Sequence, residues 1–166
     1  GAAHKVQLYF AASAEHTIND ASTPVAWSAW ERPGWHGVQL GAATQKVLGS
    51  KGDFVNLDWG HLHLASPTKA ELYAGSANAS RKAFAATGTV PATADARQPR
   101  ACSDDLPALA TAHDLGSVTA KPVDHTVLLA YDDIASVYYF GSQYKALWTQ
   151  TYTDIQAAIA AAAAEE

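Results

Sequence analysis

Along Lys5–Phe10 apolar and polar positions alternate, with Val6, Leu8 and Phe10 on one side and Lys5, Gln7 and Tyr9 on the other. That period of two predicts a half-buried β-strand. The stretch STPVAWSAWERPGWHGVQLG places two prolines and three glycines around Trp27, Trp30 and Trp35, a pattern of short strands separated by turns. QKVLGSKGDFVNLDWGHLHLASP predicts a hairpin: a strand ending at Leu48, a glycine-rich turn, then a strand from Asp53 to Ala65. Residues 74–100, rich in Ala, Ser, Thr, Pro and Gly, predict an irregular connection with one short strand. LPALATAHDLG and HTVLLAY add two further apolar strands.

The rhythm changes after Tyr131. Ile134, Val137 and Tyr138 recur at i, i+3 and i+4, the helical spacing, with Asp132 or Asp133 placed to cap the first free amides and Gly141 placed as a left-handed stop. Tyr144, Leu147 and Trp148 predict a second short helix. Thr153 and Gln156 form a T-x-x-Q capping box ahead of IQAAIAAAAAEE, an alanine-rich helix. The expected fold is mainly β, an antiparallel β-sandwich over residues 1–131, with short C-terminal helices over 132–166 in what is overall one domain.

Composition narrows the function classes. Hydrophobic residues make up 48% and charged residues 16% of 166, which is a packed globular chain. The net charge is −5 and the basic residues are scattered, so no basic stripe for nucleic acid exists. No apolar run reaches the length of a membrane span. Cys102 is alone, so an intrachain disulfide is impossible, and the sequence around it offers no partner for a nucleophile. There is no methionine even at position 1, which reads as a processed or trimmed start and leaves a removed signal peptide open. Asn78-Ala79-Ser80 fits the glycosylation acceptor pattern.

The most distinctive local pattern is DWGHLHLAS. On a strand His61 and His63 project from one face, roughly 7 Å apart. Two such imidazoles can begin a metal site, for which Asp58, His36 and His113 are candidate further ligands, or they are simply polar residues on a sheet face. The acidic pairs Asp104-Asp105 and Asp132-Asp133 bring two-carboxylate hydrolases to mind, but adjacent strand residues point opposite ways, and capping or solvated roles suit both. No nucleophile elbow, P-loop, dinucleotide fingerprint or H-E-x-x-H is present, so no catalytic residue is assigned. Five tryptophans and seven tyrosines can line a cleft for a flat organic ligand or serve as core.

VQLYFAASAEH, QKVLGSKGDFVNLDWGHLHLA, ALATAHDLGSV and HTVLLAYDDIASVYYFGSQYKALW resemble, in this order, the front module of the fungal glutaminase A-type family, from Val6 to about Ala164. The resemblance implies a β-sandwich placed ahead of a larger helical toroid in secreted amidohydrolases acting on glutamine. It implies secretion of this chain too, although no signal peptide stands in the sequence given. The catalytic acids of such enzymes are expected in the helical part, beyond the alanine-rich helix at which this sequence stops. After DWG the family resemblance leads one to expect an aromatic residue; this chain has His61, followed by His63. A fainter similarity is to the pink chromoproteins of mushrooms, small pigment-binding proteins.

The leading expectation is therefore a non-enzymatic β-sandwich that binds a small organic molecule, such as a chromophore, with a metal ion as a second kind of cofactor. Its contacts are expected among Trp27, Trp30, Trp35, Trp59, His61 and His63, the two histidines also being the metal candidates. Two other readings stand beside it. One is the accessory domain of a glutaminase-type hydrolase whose helical domain is absent. The other is a complete hydrolase using Asp104, Asp105, Asp132 or Asp133.

Overall fold

The structure is a computed structural model that describes residues 2–49, 57–67 and 70–165. Two antiparallel sheets face each other. The smaller has the order β1-β7-β5, formed by β1 (His4–Ser13), β7 (Pro107–Val118) and β5 (Glu71–Ser76). The larger has the order β6-β2-β3-β4-β8, formed by β6 (Arg100–Ala101), β2 (Pro24–Arg32), β3 (Trp35–Ala42), β4 (His61–Pro67) and β8 (Leu128–Asp132). The expected mainly β antiparallel sandwich with a short C-terminal helix is what the chain forms.

Period-two alternation selects which side chains meet between the sheets. Val25 and Trp27, Val38 and Leu40, and Leu62 and Leu64 point inward from the large sheet, against Phe10, Ala12, Ala74 and Leu109 of the small one. Leu40, Leu64 and Leu109 are fully buried, each contributing about 1.5–3 kcal/mol of hydrophobic stabilisation. Each outer face is also covered in part by a helix. Helix α1 (Ala77–Thr87) lies on the small sheet, where Phe84 and Tyr9 pack with ring centroids 5.1 Å apart and the Tyr9 hydroxyl meets Ser80 Oγ at 2.8 Å. Helix α2 (Ile155–Ala164) lies on the large sheet, with Ile155 and Ile159 against Trp30, Ala65, Leu128 and Ala130.

Several expectations need correction. The connection over 74–100 contains a helix: Ser76 accepts the Ala79 amide at its start, and Gly88 closes it in the left-handed conformation. The helix expected from Ile134 to Tyr138 is instead a β-hairpin, β9 (Val137–Tyr139) with β10 (Ser142–Tyr144). Phe140 and Gly141 both have positive φ, and a two-residue turn with both central residues left-handed matches strand twist. The residues after Tyr144 form only a 3₁₀ turn, Leu147–Gln150. Helix α2 is capped by Asp154, whose Oδ1 accepts the Ala157 amide, and not by Thr153. The expected strand ending at Leu48 is also not formed, because β3 already ends at Ala42. Of the strand expected over 53–65, residues 53–56 lie outside the described residues, and the observed strand begins at His61.

Candidate functional site

The register of the large sheet places the sequence-predicted residues. Trp30 pairs with Gly37 and Gly37 with Ala65; Ser28 pairs with Gln39, Gln39 with His63, and His63 with Ala130; Ala26 pairs with Gly41, and His61 with Asp132. These are three successive rows across the outer face, and Trp30, His61 and His63 all lie on it. Trp30 and His63 have ring centroids 6.4 Å apart, and so have His61 and His63.

The other candidates go elsewhere. Trp27 faces the core, its indole N–H donating to the Asp95 carbonyl at 2.9 Å, with the Arg100 guanidinium 5.0 Å from its ring centroid. Trp35 packs, partly exposed, at the margin of the cluster around Trp30 and Ile159. Trp59 donates to the Ala135 carbonyl at 3.0 Å and ties down the turn after β8. His36 pairs with Ser66 on the opposite face of the large sheet, and His113 belongs to the small sheet, so neither joins His61 and His63. Among the described residues no group of three His, Cys, Asp or Glu side chains is assembled for a metal ion. The carboxylate opposite His61 is Asp132, whose Oδ1 accepts the Ile134 amide at 2.9 Å.

His63 is the unusual member of the set. It is 2% exposed, and neither Nδ1 nor Nε2 has a hydrogen-bond partner among the described residues. Trp30 Nε1, on the same face, is buried and also without a partner among the described residues. Burial, and secondarily the charge of His61, push His63 down to about 4, so at neutral pH its ring is uncharged with one donor and one acceptor nitrogen. His61 is lowered by burial, against the opposing pull of Asp132. Buried polar groups are nearly always paired, because an unpaired one forfeits its hydration without return.

Two hollows lie beside the cross-strand neighbours of His63, which itself lines neither. Toward His61 there is a depression of about 290 Å³ whose lining includes Ser28, Gln39, Gly41, Gln45 and His61. Toward α2 there is an apolar furrow of about 220 Å³ between Leu128, Ala130, Trp148, Ile155 and Ile159. Gln39 and Ala130 are the cross-strand neighbours of His63, one in each hollow. Gly60, at φ +98°, brings the chain so close to β8 that a side chain there would strike the Asp132 carbonyl. Gln45 fixes the same corner, accepting from the Gly60 amide at 2.5 Å and donating to the Gly60 and Ala42 carbonyls. Sequence does not single out Ser28 and Gln39, whose shared face with His63 only the register shows, or Gln45, which lies beyond β3 and is placed by its hydrogen bonds to Gly60.

Comparison with known proteins gives one family. The family described as Domain of unknown function (DUF5127) matches residues 1–165. No curated protein and no solved structure matches the chain.

Proposed function

The chain belongs to the DUF5127 family, and we propose that this member is a non-enzymatic binding protein for a small, flat organic molecule held on the outer face of the large sheet. The observation that carries this reading is His63, an imidazole closed off from solvent with both nitrogens unpaired. Its neutral ring lacks one acceptor and one donor, and Trp30 Nε1 lacks a second acceptor. A conjugated ligand whose edge carries carbonyl and hydroxyl or amide groups supplies that complement. Its apolar body suits the furrow beneath α2, and Gln39, Gln45 and His61 offer further polar contacts. A pigment is one such molecule. Two adjacent imidazoles without a third protein ligand among the described residues favour this over a metal held by those residues alone.

The test is native mass spectrometry with an absorption spectrum of the purified protein. A mass above that of the bare chain, with an absorption band beyond that of tryptophan, is expected, and both should vanish in His63→Leu. A protein that carries only its chain mass and whose spectrum does not change on exposure to an extract of its source would overturn the reading.

A second reading has its own support. Tyr138, Tyr139, Tyr144 and Leu147 are exposed around the β9–β10 hairpin, and Phe140 at its tip is 89% exposed. Such a cluster of large apolar side chains is uncommon on a free surface and fits a partner domain. We propose it as the face by which the sandwich would serve as accessory module to a helical, glutaminase-type catalytic domain. Sequencing the transcript past Glu166 tests this: an open frame encoding a helical domain is expected, and a stop codon there would remove the reading.

A further inference from the structure

The ring of His63 is 2% exposed and its two nitrogens have no partner among the described residues, so a ligand reaches them only if something moves. The neighbours of His63 identify its cover. On the outer face of the large sheet, Ala65 stands two residues along β4, and Ala130 stands directly across on β8. Both belong to the patch on which Ile155 and Ile159 of α2 rest, together with the Trp30 indole. Helix α2 therefore lies over two immediate neighbours of His63 and over Trp30, whose Nε1 is buried and also without a partner among the described residues.

That helix is loosely seated. Its sheet-facing stripe, at i, i+3, i+4 and i+7, is Ile155, Ala158, Ile159 and Ala162, and all four border the furrow of about 220 Å³ beside β8. A stripe packed to interior density would leave no such space. Ile159 is the one buried residue of α2 among the described residues, and from Ala160 to Ala164 every side chain is a methyl group. A methyl group buries little apolar surface, so few contacts resist lifting. The closed position also keeps three polar atoms, Nδ1 and Nε2 of His63 and Nε1 of Trp30, away from water without a partner among the described residues, which offsets what docking contributes. The start of α2 is held more firmly. Asp154 caps it through Oδ1 and meets Arg32, at the end of β2, through Oδ2 at 2.7 Å.

We propose that α2 is a lid on the Trp30–His63 site: it swings off the sheet about Asp154, admits the ligand and closes on it. The inference rests on the reading of that face as a ligand site and adds how the site opens. With α2 raised, His63 and Trp30 present one acceptor and two donors beside the apolar surface of Leu128 and Ala130. The edge of a bound ligand takes up those polar groups, and its flat body fills the furrow beneath Ile155 and Ile159. An empty site thus samples the open form more often than a filled one, and ligand binding tightens α2.

Hydrogen exchange followed by NMR on the whole chain tests this, with 7-hydroxycoumarin, a flat conjugated molecule carrying a carbonyl and a hydroxyl, as the probe ligand. The α2 amides and the Trp30 indole N–H, assigned through Trp30→Phe, should exchange together, through an opening that leaves the amides of β3 and β4 protected. Ile159→Ala should speed both by at least about tenfold, while Ala162→Leu, which fills the furrow, should slow both. In the parent, 7-hydroxycoumarin at ten times its Kd should slow both by about tenfold. Exchange of α2 and the indole only with global unfolding, or a change in one without the other in the variants, would overturn the lid even where the probe binds. Opening of α2 with no binding of 7-hydroxycoumarin up to about 1 mM would overturn instead the ligand site on which the lid rests.

Discussion

The indole of Trp30 occupies the space above Gly37, its cross-strand partner, so closely that a Cβ at Gly37 would collide with the ring. The missing side chain lets a large indole lie down on the sheet, under Ile159 of α2. Gly37→Ala would push the ring up into the helix. A destabilisation of about 1–3 kcal/mol is expected, as for other overpacked sites, measured by urea denaturation. Trp30→Leu in the same background should recover part of the loss, and no recovery would mean that the strain lies elsewhere.

His63 makes stability depend on pH in a stated direction. Its folded-state value, about 4, is below the ordinary 6.5, so the unfolded chain takes up a proton first as pH falls. The stability this neutral ring contributes is fully present above about pH 6.5 and is lost on the way down to about pH 4. His113 behaves in the same way and over the same interval. In His63→Leu the acid slope should flatten by up to ~1.4 kcal/mol per pH unit, the value of one proton, while stability at pH 7 holds or rises by about 1 kcal/mol as the unpaired nitrogens disappear. Denaturation curves from pH 4 to pH 7 decide it; an unchanged slope would show that His63 is not the group responsible.

The start of α2 separates two adjacent residues. Asp154 caps the helix through Oδ1, while Oδ2 lies 2.7 Å from Arg32 Nη2, with both side chains 42% exposed. Asp154→Ala should cost about 1 kcal/mol through the lost cap. Thr153→Ala and Arg32→Ala should cost little, since Thr153 does not cap and an exposed ion pair contributes about 0–1 kcal/mol. Thermal unfolding of the three variants gives the ranking, and a Thr153→Ala loss as large as that of Asp154→Ala would contradict the assignment.

That position also shows how far the sequence could be read. T-x-x-Q looked like a capping box, but the carboxylate one residue later reaches the free amide, a choice made by backbone direction that spacing does not reveal. Strand β1 is legible from its alternation, and β7 and β8 from short apolar runs. The hairpin at Val137–Tyr144 was read as helix because Ile134, Val137 and Tyr138 fit a helical spacing by coincidence, and because its turn uses Phe140, a residue without the usual preference for positive φ. Helix α1 was missed because its alanines and serines resemble a loop; Ser76 and Gly88, its caps, were the available signal. Of the candidate site, the pairing of His61 with His63 was legible from strand geometry. Their shared face with Trp30, and the diversion of Trp27 to the core and Trp59 to the Ala135 carbonyl, depend on register and long-range contacts.

The strongest single prediction concerns Arg100, whose side chain is 5% exposed. Its guanidinium meets Asp95 Oδ2 at 2.6 Å, donates to the Asp105 and Arg97 carbonyls, and lies over the Trp27 ring. Removing it leaves the Asp95 carboxylate without its buried partner, so Arg100→Met should destabilise by about 3–5 kcal/mol. Arg100→Lys should cost less but still measurably, because an ammonium cannot reproduce the planar fork. Burial works to raise Asp95, but the Arg97 amide and the Arg100 and Arg97 guanidiniums outweigh it and hold it at about 2, below the ordinary 3.8. The folded state therefore resists protonation, and the stability from this carboxylate is present above about pH 4 and lost as pH falls toward 2. Asp95→Asn should begin from a lower stability at pH 7 and lose less between pH 4 and pH 2. Guanidinium denaturation at both ends of that interval checks the pair. An Arg100→Met protein within about 1 kcal/mol of the parent would place the anchor of this edge elsewhere.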